Sequence, residues 1–319
     1  MRIVFVGNHS VDYSSETHHV KSLQSLGHDV VTLQEGKASG EQIVAEGSQA
    51  DLLVWVHTHR WVTPGLSSAE VIQRINAAGI PTVTYHLDLW LGLDRQRDLT
   101  TDSFYTSIGW FFTVDKNMAD WFNENTSVKG RFLPAAVYGP ECYISDQPSP
   151  YANDVVFVGS KRYHHEWPWR PQLIDWLHQT YGTRFTHVGG DGSTGTLRGD
   201  DLNRMYANSK VAVGDTLCIG YNYPYYASDR LFECPGRGGF NLFPRITGIT
   251  DWYRENEEIV FYEYGDFDGL KNTIDHYLAH DAERERIRLA GHNRTKQEHT
   301  YAHRWAHILD TVFGCEAGQ

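Results

Sequence analysis

The sequence is poor in cysteine and in cationic side chains, and it has no long apolar run. Its four cysteines (Cys142, Cys218, Cys234 and Cys315) are scattered through 319 residues with no C-x-x-C and no framework spacing. That excludes a disulfide-stapled scaffold and predicts a reduced, cytoplasmic protein. Lys and Arg number 28 against 40 Asp and Glu, a net charge of −12. Such a balance gives no electrostatic help toward DNA, RNA or anionic lipid. No stretch approaches the roughly 20 apolar residues a membrane helix needs, and mean hydropathy is −0.47. The opening M-R-I-V-F-V-G leads into a strand and lacks the layout of a signal peptide. An aromatic share of 13 % beside 21 % charged residues excludes disorder, collagen and coiled coil.

What is there is an alternation. Short apolar runs at 3–6, 30–33, 52–56, 82–85, 110–114 and 131–134 are separated by helical stretches such as 17–26, 68–78 and 117–123. That spacing predicts βαβ units and a parallel sheet covered on both faces. A polar, proline-bearing segment follows at 138–153, and then the pattern restarts. Runs at 154–158, 185–188, 211–214 and 259–262 predict a second sheet. Leu270, Ile274, Tyr277 and Leu278 form one helical stripe, and Tyr301, Trp305, Ile308 and Val312 another. Asp281 reads as an N-cap between them. The predicted class is α/β with two Rossmann-like halves. Residues 1–140 form the first domain, 141–153 a linker, 154–300 the second domain and 301–319 a C-terminal helix.

Parallel sheets bind ligands outside the carboxyl ends of their strands, where helix N-termini attract anions. Gly159 and Ser160 end one such strand, and Lys161 and Arg162 add cationic charge suited to a diphosphate. Gly189 and Gly190 end the next strand and permit close backbone approach. Taken alone, each pair fits an ordinary tight turn better than a ligand site, and no G-x-G-x-x-G follows any strand. In S-D-R-L-F-E-C-P-G-R-G-G, Arg230 and Glu233 lie three apart and share a helix face. An arginine for phosphate and a carboxylate for ribose hydroxyls suit a nucleotide; a surface ion pair is the plainer alternative. Gly238 and Gly239 after it permit tight backbone contact or form a turn, and Tyr226 belongs to an aromatic cluster just before it.

In the first half, His86 and Asp88 leave a buried strand, and His57 and His59 end the preceding one. Asp88 or His86 suits a general base for an acceptor hydroxyl, with Asp88 as a helix cap the structural alternative, and His57 is a third catalytic candidate. His57 and His59 lack a third metal ligand at recognisable spacing, so no metal site is expected.

Four pieces of the second half resemble the CgeB-type ("spore maturation") glycosyltransferases of the GT-B fold. They are the D-V-V-F-V-G-S strand, the S-D-R-L-F-E-C-P-G-R-G-G stretch, the E-I-V-F-Y strand with residues 266–270 after it, and the run ERIRLAGHNRTKQEHTYAHR. The resemblance implies two Rossmann-like domains facing across a cleft, with a nucleotide-sugar donor on the second. It implies Glu233 on the donor ribose, Arg230 on the diphosphate, Gly159 and Ser160 under the phosphates, and Gly189 and Gly190 near the base. Related retaining enzymes carry a glutamate eight residues before the ribose-binding one; here Tyr225 stands there.

The expected activity is metal-independent transfer of a sugar from a nucleoside diphosphate to an acceptor hydroxyl. The nucleotide sugar is a co-substrate, no cofactor is expected, and the acceptor is a glycan, protein or small molecule. Two alternatives share the fold: a DNA-modifying glycosyltransferase of the kind phages carry, against which the charge speaks, and a nucleotide-sugar binding module without turnover.

Overall fold

The computed structural model describes residues 1–89, 93–162, 167–216 and 223–314. Cys218, Cys315, Trp90, Tyr221 and the His164-His165 pair lie outside these. The chain divides into two compact units, 1–134 with 301–319 and 135–300. The segment 141–153, read as a linker, belongs to the second unit, and the helix beyond 300 to the first.

The first unit holds six strands: β1 (Arg2–Gly7), β2 (Asp29–Gln34), β3 (Leu52–Trp55), β4 (Thr82–His86), β5 (Trp110–Thr113) and β6 (Lys129–Phe132). They form one parallel sheet in the order β2-β1-β3-β4-β5-β6. Every residue of β3, β4 and β5 is buried, as expected of strands covered on both faces. β6 starts two residues before the expected run because Gly130 pairs with Phe111. Val4, Val6, Leu53, Trp55, Ile72, Phe111 and Phe122 join in one apolar core. The helices begin where the sequence offers caps. Ser67 and Glu70 form a reciprocal capping box for Ser68–Ala77, and Asp115 accepts from Met118 N–H ahead of Lys116–Asn125. The last helix, Tyr301–Gly314, packs against the first, Ser15–Ser25.

The second unit holds β7 (Val155–Val158), β8 (Phe185–Val188), β9 (Val211–Val213), β10 (Asn241–Pro244) and β11 (Val260–Tyr262). They too are all parallel, in the order β11-β10-β9-β7-β8. β10 was not expected. Its four residues follow a glycine turn and end in proline, which hides a short strand, yet all four are buried between β9 and β11. Asp281 is the first helical residue of Asp281–Glu298 rather than its cap. Because both sheets are parallel, each gathers its strand-end loops along one edge.

Candidate functional site

At the carboxyl edge of the second sheet, β7 runs into Gly159 at φ +142°, a conformation that favours glycine. A Cβ there would stand 2.9 Å from Arg230 Nη2, so the guanidinium lies directly against this turn. Arg230 opens the helix Arg230–Gly236, and its Nε donates to the Val158 carbonyl at 2.6 Å. Glu233, half-buried on the same helix, lies 3.7 Å from Arg237 Nη2. Burial and the charge of Asp229 push its carboxyl above the ordinary range, against the pull of Arg237 and Arg230. Arg237 donates to Asn203 Oδ1 at 2.5 Å and pairs with Glu141.

The glycines play unequal parts. A Cβ on Gly189 would meet the Gly159 carbonyl at 2.6 Å, so the β7 and β8 turns touch through backbone, whereas Gly190 has nothing closer than 3.8 Å. His187 Nε2 lies 2.7 Å from the Gly159 carbonyl and fixes the same turn. Gly238 and Gly239 close the helix end instead, donating to the carbonyls of Pro235 and Cys234. Added Cβ atoms there would strike Ile144 and Cys234, which is packing.

The cations after Gly159 are differently engaged from their sequence promise. The amides of Lys161 and Arg162 donate to the Asp191 carboxylate at 2.8 and 3.2 Å, and Lys161 Nζ pairs with Asp175. Desolvation works against the Asp191 charge, yet these amide bonds hold its pKa below the usual value. The buried cation of this edge is Arg170, which the sequence reading missed. It stands at the second position of the helix Trp169–Tyr181. Its Nε donates to Asp215 Oδ2 at 2.8 Å and its Nη1 to the Ser160 carbonyl at 3.2 Å. Arg170 Nη2, Asp215 Oδ1 and Thr216 Oγ1 are buried with no hydrogen-bond partner among the described residues. Ser228 Oγ donates to the Asp215 carbonyl at 3.1 Å. Tyr226 is buried next to Tyr225, whose φ is +63°.

The carboxyl edge of the first sheet is crowded with imidazoles and carboxylates. His57 is clamped: Nδ1 meets Glu35, and Nε2 lies 2.9 Å from Asp102 Oδ2. Burial alone would depress its pKa, but the hydrogen bonds and charges of Asp102 and Glu35 win and raise it to about 9. With both nitrogens so engaged, His57 has no ring nitrogen left to take a substrate proton, in contrast to its expectation as a catalytic candidate. Glu35 also accepts from Trp55 Nε1 at 2.8 Å and from Thr58 N–H at 2.7 Å. His86 Nδ1 lies 3.1 Å from the Asp88 carbonyl and 3.3 Å from its amide nitrogen. No described helix starts at Asp88. His59 Nδ1 stands 3.4 Å from Asp98 Oδ2. Burial, and to a smaller extent the charges of Glu35 and Asp88, raise the Glu16 carboxyl. A cavity of about 840 Å³ opens at the amino ends of β4, β5 and β6, lined by Thr82, Trp110 and Lys129 among others, at the opposite edge from these groups.

Residues 169–310 match a protein family described as glycosyl transferase-like. The α-glucosyltransferase solved with UDP-glucose and DNA containing an abasic site superposes with a TM-score of 0.70 at 12 % identity, over 98 % of this chain and 99 % of that one. Sucrose-phosphate synthase from Thermosynechococcus elongatus gives 0.61 at 11 % identity over 98 % and 99 %. Anabaena HepE solved with UDP and glucose gives 0.64 at 13 % identity over the same shares. The fold is GT-B, and the enzyme class is glycosyltransferase. No curated protein matches the sequence.

Within this glycosyltransferase the matched segment contains Arg170, Asp215, Arg230 and Glu233. Arg170 carried a signal, an arginine opening a helix soon after a strand–glycine turn, but its partner lies 45 positions away. The triplet Asp266-Phe267-Asp268 spells a D-x-D, the metal-holding signature of other glycosyltransferase folds. Here Asp266 accepts from Gly269 N–H as the cap of Phe267–Ala279. Among the described residues no helix is long and apolar enough to cross a membrane.

Proposed function

We propose that this glycosyltransferase is CgeB-like and moves a sugar from a nucleoside diphosphate to an acceptor hydroxyl, without a metal ion. The observation that supports it best is Arg230 lying against the Gly159 turn with Glu233 one turn further on, inside the glycosyl transferase-like segment. Arg230 takes the diphosphate, Glu233 accepts from the ribose hydroxyls, and Gly159 and Ser160 let the phosphates approach the backbone. Gly189 and Gly190 border the base. Arg170 holds Ser160 and Asp215, and its buried Nη2 has no partner among the described residues and is left to offer. On the acceptor side Asp88 or His86 takes the hydroxyl proton. Rate enhancement comes from positioning and from electrostatic stabilisation of the leaving diphosphate. The buried thiols of Cys142 and Cys234 suit a reducing compartment such as the cytoplasm.

Neighbours solved with UDP and UDP-glucose make uridine donors the first to try. The test is a thermal-shift panel of UDP, GDP, TDP, ADP and CMP with their common sugars. A ligand at 100 times its Kd adds about 2.7 kcal/mol, which moves the midpoint by several degrees. One nucleotide should stand out, and Glu233→Ala should weaken it at least tenfold in a folded protein. A flat panel, or unchanged affinity in that variant, overturns the reading. Binding without transfer would favour the module that has lost turnover.

A second reading takes DNA as acceptor, favoured by the neighbour solved with DNA and opposed by the net charge of −12. Steeply salt-dependent binding of a DNA duplex is its signature.

A further inference from the structure

Three side chains converge where β3 and β4 end. One ligand atom each from His59, His86 and Asp88 lies within 4.8 Å of the other two. His86 is buried, and His59 and Asp88 are half-buried. The two rings meet edge to face with centroids 5.6 Å apart. His59 Nδ1 stands at ion-pair distance, 3.4 Å, from Asp98 Oδ2, and His86 Nδ1 lies between the Asp88 carbonyl at 3.1 Å and the Asp88 N–H, which donates to it at 3.3 Å. A metal-bound imidazole carries its remaining proton on the ring nitrogen that faces away from the ion. Asp98 is itself buried, so its charge is held in place behind His59.

We propose that His59, His86 and Asp88 bind one divalent ion of the zinc class, through one ring nitrogen of each histidine and an Asp88 carboxylate oxygen, and that the bound ion inhibits transfer. Two imidazoles and one carboxylate select a borderline ion such as Zn²⁺ over Mg²⁺, which takes oxygen ligands. Metal bonds of about 2.0–2.2 Å set ligand atoms roughly 3.3 Å apart in a tetrahedron. The widest of the present separations, within 4.8 Å, therefore closes by about 1.5 Å at most. Three protein ligands leave a fourth position for water. Where Nε2 of His86 is the ligand, Nδ1 carries the proton and donates to the Asp88 carbonyl, giving up the bond it accepts from the Asp88 N–H. The inhibition rests on the proposed role of Asp88 and His86, since an ion holding both removes the base from the acceptor hydroxyl. The binding itself does not depend on that role.

The experiment uses the full-length protein stripped of metal by chelator. It is titrated with Co²⁺ by visible absorption and with Zn²⁺ by calorimetry, with Mg²⁺ as the hard-ion control. One equivalent of Co²⁺ and of Zn²⁺ should bind and Mg²⁺ should not. His59→Ala and Asp88→Asn should each weaken Zn²⁺ at least tenfold, at unchanged melting midpoint without metal. His276→Ala, at the exposed His276/His280 stack with 4.0 Å between centroids, should leave binding unaltered. Absence of saturable binding, or full affinity in both site variants, overturns the site. In the second arm Zn²⁺ should abolish transfer, chelator should restore it, and His59→Ala should raise the inhibitory concentration at least tenfold. Binding without inhibition overturns the inhibitory half alone. A metal-free protein that transfers nothing counts against the transferase reading, while the titration still decides the site.

Discussion

Trp305 Nε1 donates a hydrogen bond to His19 Nδ1 at 3.1 Å in the interior of the first unit. Both side chains are fully buried, and His19 packs against Phe5, Tyr85 and Tyr301 as well. The bond requires His19 to be neutral, with its proton on Nε2. It ties the helix Tyr301–Gly314 to the helix Ser15–Ser25 across 286 positions of sequence.

Acid should therefore loosen this unit. Burial lowers the pKa of His19 to about 3, so between its unfolded value near 6.5 and pH 3 the unfolded chain binds a proton that the folded one refuses. Stability is present above that window and falls as pH drops through it. Lowering pH from 7 to 5 should cost up to about 2 kcal/mol through this residue. His9, in the same unit and also depressed by burial, acts in the same direction. Urea midpoints at the two pH values should converge in His19→Leu relative to wild type, and an unaltered pH slope would refute the assignment.

The Arg170–Asp215 pair is an ion pair with both side chains removed from water. Taking away one partner strands the other charge, so Asp215→Ala should cost about 3–5 kcal/mol. The double variant Arg170→Met/Asp215→Leu should recover most of that loss. A denaturation cycle over the four proteins measures the coupling, and additive losses would contradict it.

Two adjacent glycines should behave oppositely. Gly189→Ala drives a Cβ to 2.6 Å from the Gly159 carbonyl, whereas Gly190→Ala meets only Ser160 Oγ at 3.8 Å and Thr196 Oγ1 at 3.9 Å. The first should destabilise by about 1–3 kcal/mol and weaken nucleotide binding, because the turn that Arg230 rests on must shift. The second should stay within about 0.5 kcal/mol of wild type. Equal melting midpoints would rule this out.

Glu35 gathers His57, Trp55 Nε1 and Thr58 N–H onto one buried carboxylate. Glu35→Ala should cost about 3 kcal/mol or more, with Glu35→Gln milder because the amide oxygen still accepts. Thermal denaturation of the two variants gives the ranking, and reversal of their order would overturn the account.

Strand β7 and its glycine turn were legible because a continuous apolar run ending in glycine has few other uses. Arg230 and Glu233 were legible because three-residue spacing on a helix is a local property. Lys161 and Arg162 misled because charge in a sequence says nothing of its partner. Asp191 arrives from the loop after β8, adjacent to β7 only through the sheet. The grouping of His59 with His86 and Asp88 was not legible locally, since these two come from the end of the neighbouring strand β4 and the loop after it.

The sequence by itself determined the class of fold, the strand-end glycine turns and the helical pair Arg230 and Glu233. Each follows from period, from backbone freedom or from residues within one turn of each other. Tertiary structure alone decided the contacts between loops: Arg170 with Asp215, His57 between Glu35 and Asp102, and His19 under Trp305. Parallel strands bring together loops that are tens of residues apart. Which charges meet there is set by strand order, and strand order is a property of the folded sheet.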